Sequence, residues 1–198
     1  MPQSELVVAG LVLAAGGSSR LGQPKQLLPF GPATLLDHTL STARRCRFSQ
    51  LLVAIGGAAD DVRTRVDLSG TQVVVNDGYG AGCSSSIAAA VSAIDPRADL
   101  LVLLLGDQPG VTPDTVAELL AGRGDAALAV CRYDDGLGHP FCFTRDLFET
   151  LLGLHGDKAV WKLVAAAGDA VAKVHVAGPV PIDVDTWADY EAVLADLA

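Results

Sequence analysis

Aromatic residues are scarce in this chain, and it has no excess of positive charge. Only 5% of its 198 residues are Phe, Trp or Tyr, too few for the stacking platforms that grip single-stranded nucleic acid. Its 14 Lys and Arg against 23 Asp and Glu leave a formal charge of −9. That balance excludes a generic phosphate-backbone binder, so any anion site must be built locally. No two of the four cysteines, Cys46, Cys83, Cys131 and Cys142, are separated by just two residues; zinc-ribbon and paired redox motifs are missing, and reduced thiols are expected. The apolar run from Leu6 to Ala15, broken only by Gly10, falls far short of the roughly 20 residues that span a bilayer. It reads as a buried strand. Glu5 and no basic residue precede it, so the charge signature of a signal peptide is missing, and the expectation is a cytoplasmic protein with neither membrane nor nucleic acid as partner.

What is present is half apolar, enough for a proper core, with 21 Gly and 10 Pro for tight turns between short elements. Short apolar runs at Leu6 to Ala15, Leu51 to Ile55, Gln72 to Val75 and Leu100 to Leu105 end in Gly, Asp or Asn, as strands covered on both faces do. Helical patterns separate them at Thr34 to Arg45, Ala59 to Val66, Ser84 to Ile94 and Pro113 to Ala121. Such a βαβ series winds into an α/β fold, a three-layer αβα sandwich on a Rossmann-like, mostly parallel sheet. After about residue 124 the pattern changes. Strands at Ala126 to Cys131 and Pro140 to Phe143 flank a turn at Asp134 to Gly138 and precede a helix at Asp146 to Leu152, which predicts a small antiparallel lobe. Val171 to Val176 then returns to the sheet and Trp187 to Leu197 closes the chain as a helix. The expected organisation is a single domain over 1–198, with parts at about 1–124, 125–182 and 183–198.

In open α/β sheets ligands bind beyond the carboxyl ends of the strands, and the loops there hold the chemically expressive residues. The first runs Leu13-Ala14-Ala15-Gly16-Gly17-Ser18-Ser19-Arg20-Leu21-Gly22-Gln23-Pro24-Lys25. Adjacent glycines let backbone amides turn towards an anion while Arg20 and Lys25 add charge. It is neither a Walker loop, since Gln23 follows Gly22 where Lys is needed, nor a dinucleotide fingerprint. The second is Gly106-Asp107-Gln108-Pro109, where a strand-end carboxylate suits Mg²⁺ shared with phosphates or merely starts a turn. The third, Asp183-Val184-Asp185-Thr186, points both carboxylates one way if extended. Either is a candidate second metal ligand, and Asp185 or Thr186 is also a candidate cap for the following helix. The fourth, Asn76 to Ile87, leads three serines, Ser84 among them, into a helix N-terminus; anion binding and simple N-capping explain it equally well. His139, in Gly138-His139-Pro140, is a candidate substrate contact or a structural donor.

In order, these segments resemble the MobA-like nucleotidyltransferases, most closely the molybdenum cofactor cytidylyltransferase branch, over nearly the whole chain. The resemblance rests on Leu13 to Lys25, on Gln26-Leu27-Leu28-Pro29 after it, and on Gly106 to Pro109. It implies an enzyme that binds a nucleoside triphosphate and joins its nucleoside monophosphate to a second substrate. Leu13, Ala14, Ala15, Gly16, Gly17, Ser18 and Ser84 would then bind nucleotide, with Arg20 and Lys25 on the triphosphate and Asp107 and Asp185 on Mg²⁺. Gln108, Pro109, His139 and Lys162 would face the acceptor. Leu-Ala-Ala-Gly, where guanylyl-transferring relatives usually have Leu-Ala-Gly-Gly, implies CTP, and the branch implies the molybdopterin cofactor as acceptor and a transient molybdoenzyme contact. Two departures stand out. The family's usual Gly-Asp-Lys-Gly-Ala-Arg is here Gly156-Asp157-Lys158-Ala159-Val160-Trp161-Lys162, and its Pro-Glu-Asp after Asp-x-Asp-Thr is Trp187-Ala188-Asp189. The rivals are a guanylyltransferase, a cytidylyltransferase for a small phosphorylated alcohol, a non-catalytic cofactor carrier and, against the missing fingerprint, a dinucleotide-binding oxidoreductase.

Overall fold

A computed structural model describes residues 6–18, 20–156 and 158–197; Glu5, Ser19 and Asp157, used above, lie outside them. The apolar runs become β1 (Val8–Ala14), β4 (Gln50–Ile55), β5 (Gln72–Val75) and β6 (Leu100–Leu105), after a short hairpin of β2 (Pro29–Phe30) and β3 (Ala33–Thr34) that forms its own two-stranded sheet. Helices α1 (Leu35–Arg45), α2 (Ala59–Arg65), α3 (Cys83–Val91) and α4 (Pro113–Gly122) connect them. Then follow β7 (Leu128–Arg132), β8 (Leu137–Thr144), α5 (Phe148–Leu152), α6 (Ala159–Ala167), β9 (Val171–His175) and α7 (Trp187–Ala195).

Seven strands form one sheet in the order β5-β4-β1-β6-β8-β7-β9. All neighbours are parallel except those of β8, which runs antiparallel to both β6 and β7. The three-layer sandwich on a mostly parallel sheet is thus as expected. The antiparallel segment after residue 124, however, extends the main sheet through β8 and β7 instead of standing apart from it. α6 and the β2–β3 hairpin are additions to the sequence reading.

Side-chain alternation along β1 explains its unbroken apolar run. Val12 and Ala14 join the cluster under Leu36 and Leu40 of α1, Val62 of α2 and Val116 and Leu119 of α4. Ala9, Leu11 and Leu13 face the opposite layer, with Ile87 and Ala90 of α3, Leu151 of α5 and Val160 and Val164 of α6. A third cluster packs Tyr190 and Val193 of α7 on Leu21, Leu28, Phe30 and Leu35, so the last helix clamps the segment that follows the β1 loop.

The chain leaves β1 towards β4 and β5 on one side, then crosses through α3 to β6 on the other. Strand order therefore reverses between β1 and β6, and a crevice opens at their carboxyl ends. There the strands come very close. The Gly106 N–H donates to the Leu13 carbonyl at 2.8 Å, and a Cβ at Gly106 would lie 3.0 Å from the Ala14 Cβ and 3.1 Å from the Leu13 oxygen. Among the described residues no helix is long and apolar enough to cross a membrane.

Candidate active site

The loop after β1 is tied back on itself. Ser18, at φ 50°, accepts the Lys25 backbone N–H on its hydroxyl at 2.9 Å. Gln26, only 3% exposed, donates its amide to the carbonyls of Ala14 at 2.7 Å and Gly16 at 3.0 Å. With its carbonyls held inward, the loop carries Lys25 to the crevice. The Lys25 ammonium there hydrogen-bonds Asp185 Oδ1 at 2.7 Å and forms an ion pair with Asp107. Arg20 takes the other oxygen, Asp185 Oδ2, at 2.6 Å. Lys25 and Asp107 are mostly buried, whereas the Arg20 side chain is 65% exposed, so the Arg20 pair contributes little stability.

The electrostatics follow from that packing. Burial alone would pull the Lys25 pKa down, but Asp107 and Asp185 outweigh it and hold the ammonium above its ordinary value. Burial pushes Asp185 up, and Lys25 and Arg20 more than reverse it, keeping the carboxyl below the usual carboxylate range. Asp183 is the opposite case: burial, with the charges of Asp107 and Asp185 nearby, pushes it up to about 6. Of the two carboxylates in Asp183-Val184-Asp185, Asp185 is the one against both cations. Among the described residues no group of three or more His, Cys, Asp or Glu is gathered as a metal site. The two carboxylates that meet at Lys25, Asp107 and Asp185, are hard oxygen donors of the kind that suit Mg²⁺ shared with phosphates.

Beside Lys25 opens a cavity of about 260 Å³. Leu13 to Gly17 form one wall, Gly82, Cys83 and Ser86 the other, and Leu105 to Asp107 the floor, with Tyr79 at the side. Gly82 (φ 101°) precedes α3, which has no side-chain cap, so the positive end of the helix meets the cavity and suits an anion. Ser84 is buried and does not line it; Cys83 and Ser86, one turn apart, do. The Asn76 amide steadies that turn by donating to Ser85 at 2.8 Å and Ser86 at 2.9 Å. Burial pushes the Cys46 thiol up to about 11 and Cys131 and Cys142 up to about 12, which disfavours their thiolates, and no disulfide joins any two of the four cysteines.

None of the four expected acceptor residues lines the cavity. Gln108 is 2% exposed and donates to the Pro181 carbonyl at 3.2 Å, and the Pro109 carbonyl lies 3.3 Å from the His38 ring. Gln108 thus ties β6 to the irregular segment that leads to Asp183, while Pro109 faces α1. His139 lies in β8; continuing the β6–β8 register by two residues sets it beside Leu105, at the mouth of the sheet. Its ring stands edge-on to Phe141 at 4.5 Å and Trp161 at 6.0 Å, and burial pushes it down to about 3, so it is neutral near pH 7. Lys162 is exposed on α6, one residue beyond Trp161. Thr186 is the cap of α7, in a reciprocal box with Asp189, and this accounts for the Trp187-Ala188-Asp189 departure. Asp189 also accepts the Asp185 and Thr186 backbone N–H groups at 3.2 and 2.7 Å, which orients Asp185.

Gln26, Tyr79 and Ser86 were not assigned from the sequence. Gln26 stands next to the signature Lys25, but only the structure shows its amide buried as a loop clamp. Ser86 follows from the three-residue spacing to Cys83 on a helix. Tyr79 packs on Gly56 and Gly57, where a Cβ would meet it at 2.8 and 3.0 Å, and nothing local in the sequence announces that.

Comparison with known proteins bears on the family and the fold. The chain is 30% identical to molybdenum cofactor cytidylyltransferase of Escherichia coli, over 68% of this chain and 69% of that one. It is 33% identical to nicotine blue oxidoreductase of Paenarthrobacter nicotinovorans over 64% of this chain. The match spans 62% of that oxidoreductase, and 27% to 29% of the bifunctional GlmU proteins it also resembles. Among solved structures, a homologue of Rv0371c from Mycobacterium sp. strain JC1 superposes with a TM-score of 0.89 at 51% identity, covering 96% of each chain. Rv0371c of Mycobacterium tuberculosis in complex with manganese gives 0.85 at 46%, covering 95% of this chain and 98% of that one. The model of the MobA-like NTP transferase domain matches residues 10–171, and the chain belongs to that family.

Proposed function

We propose that the chain is a divalent-metal-dependent nucleotidyltransferase that moves CMP from CTP to the terminal phosphate of molybdenum-bearing molybdopterin, giving molybdopterin cytosine dinucleotide and pyrophosphate. The observation that carries this reading is the Lys25 ammonium between Asp107 and Asp185, at the edge of a cavity walled by a glycine loop and a helix N-terminus. Supporting the choice of nucleotide and acceptor are Ala15 in Leu-Ala-Ala-Gly and the cytidylyltransferase named above.

An acceptor phosphate oxygen attacks the α-phosphorus of CTP; the new P–O bond forms as the α–β P–O bond breaks and pyrophosphate departs. Two anions must meet, so the protein's task is positioning and charge neutralisation. The Gly16 and Gly17 backbone and the α3 N-terminus cradle phosphate oxygens, and Lys25 and Arg20 neutralise the triphosphate and the departing pyrophosphate. Asp107 and Asp185 would hold Mg²⁺, which supplies further positive charge at the phosphates. No protein base is required, because a phosphate monoester with a second pKa of about 6 is already ionised. Gln108 and Pro109 support the acceptor side, with His139 a neutral contact at its wall and Lys162 the replacement for the missing family Arg.

Pyrophosphate release with Mg²⁺ and molybdopterin cofactor, measured in parallel with CTP, GTP, ATP and UTP, tests the proposal. Selectivity for CTP is expected. Preference for GTP would overturn the reading of Ala15 and leave the transferase intact. The relative named as an oxidoreductase makes hydride transfer the competing reading; no turnover of any triphosphate, with oxidation of a reduced nicotinamide cofactor instead, would favour it.

A further inference from the structure

The aromatic side chains that this chain has in short supply gather beside the cavity. Measured between ring centres, Phe141 stands 6.1 Å from Phe143 and 5.0 Å from Trp161, and His139 stands 4.5 Å from Phe141 and 6.0 Å from Trp161. Phe141 and Phe143 are fully buried. The cluster therefore reaches the surface only through Trp161 and His139, both half-buried. Its place in the fold is set from two sides. Phe141 and Trp161 pack in the same layer as Leu13, Leu105 and Ile87 of α3, and across the β6–β8 pairing His139 falls beside Leu105, which belongs to the cavity floor. The turn before α6 touches the opposite wall, with the Cys83 thiol 3.9 Å from the Gly156 carbonyl, and Trp161 is the third residue of α6. One strand spacing and the 6.0 Å ring separation put Trp161 about 10 Å from Leu105.

Packing alone does not call for a histidine there. A neutral imidazole offers one N–H and one lone pair, and among the described residues the His139 ring meets only other rings, with burial the one influence on its titration. An indole next to an unengaged donor and acceptor suits a flat ring whose edge carries both. The geometry points to Trp161 and His139 as the specificity-determining contacts for the acceptor: the indole stacks on a planar nitrogen heterocycle borne by a phosphate ester, and the imidazole hydrogen-bonds the edge of that heterocycle. The inference rests on the transferase reading for the direction in which the acceptor's phosphate points, towards the cavity, but not on which nucleotide is used. It makes ring recognition the basis of acceptor choice. A small phosphorylated alcohol gives the indole nothing to stack on and is rejected. Stacking on one aromatic side chain is worth about 5- to 150-fold in affinity, so the contribution of Trp161 is measurable in binding alone.

Calorimetry of the full chain with three phosphate esters tests this without turnover. The probes are 6-hydroxymethylpterin phosphate, benzyl phosphate, which has a ring but no hydrogen-bonding edge, and glycerol 3-phosphate, which has no ring. Affinity is expected to fall in that order, with the pterin ester at least about tenfold above the glycerol ester. Trp161→Leu should bind both ring esters about tenfold more weakly, leave the glycerol ester and CTP at their wild-type affinities, and be rescued in large part by Trp161→Phe. His139→Leu should bring the pterin ester down to the benzyl ester. A thermal melt checks that each variant is folded, and the order in the wild type needs no variant. Equal wild-type affinities for the pterin and glycerol esters would overturn the inference. So would a Trp161→Leu chain that keeps the ring preference, or one that loses CTP and all three esters together, as a merely structural residue would. If no triphosphate turns over in the assay above while the ring preference holds and depends on Trp161, the transferase reading fails alone. CTP turnover with no ring preference sinks this inference and leaves the transferase standing.

Discussion

Lys25 and Asp107 share one contact but have opposite tasks, and their substitutions separate them. Lys25→Ala removes a charge that stabilises the transferring phosphates, and the expected loss in kcat is about 100- to 1,000-fold, as for removal of one preorganised donor. Asp107→Asn keeps the shape of the side chain and loses a metal oxygen, so the melting temperature should hold while turnover with Mg²⁺ falls at least about 100-fold. Wild-type kinetics in either purified variant would refute its role. His139 predicts a pH effect on stability and not on catalysis. Its folded pKa of about 3 lies below the unfolded value near 6.5, so the unfolded chain gains the proton first as pH falls. Stability is therefore whole above about pH 6.5 and lost progressively towards pH 3. Part of the ring meets solvent, so the loss between pH 7 and pH 5 is at most about 2 kcal/mol, and urea midpoints of His139→Gln should lack it. The sequence made Arg20, Lys25 and Asp107 legible because they are charges at strand ends in an acidic chain. It hid Gln26 because a clamp that bonds the Ala14 and Gly16 carbonyls leaves no pattern in composition.

Helix α7 is a fixture for the site more than a part of the core. Thr186 and Asp189 cap it reciprocally, and the same Asp189 carboxylate holds the Asp185 N–H. Thr186→Ala should cost about 1 kcal/mol of stability by chemical denaturation, and it should also weaken Mn²⁺ binding measured with tripolyphosphate, because Asp185 loses its orientation. A stability loss with unchanged metal affinity would reduce the cap to a helix stop. Gly106→Ala acts between elements: its Cβ would crowd Ala14 and Leu13 at 3.0–3.1 Å, and forcing β6 off β1 should cost about 1–3 kcal/mol. At this scale the sequence was readable where periodicity is local. β1, β4, β5 and β6 are apolar runs because helices cover both faces, and α1 and α4 carry Thr34 and Thr112 at their N-caps. It was unreadable where pairing is distant. β8 joins the main sheet through Leu100–Leu103, a partner that no pattern within residues 137–144 names, and α6, nearly all apolar as AVWKLVAAA, lacks the polar face that marks a helix in sequence.

Across the whole molecule, the reversal of strand order puts segments far apart in the chain around one crevice. The β1 loop, the start of α3, the end of β6 and the residues before α7 all reach the cavity or the Lys25 ion pairs beside it. The overall charge of −9 does not prevent a polyanion from entering, because at cellular salt charges beyond about 8 Å are largely screened and Arg20 and Lys25 decide the local field. A ligand that touches all four segments must be released before they separate, so it stabilises the whole fold and not one loop. With CTP and Mg²⁺ at 100 times the dissociation constant, linkage gives about 2.7 kcal/mol. For a domain of this size that is a rise in Tm of about 5–11 °C. Mg²⁺ alone would touch only the carboxylates and should move Tm far less. An equal shift from Mg²⁺ alone and from Mg²⁺ with CTP in the wild-type chain would mean that the four segments are not joined by the nucleotide, and the crevice between β1 and β6 would lose its standing as the nucleotide site.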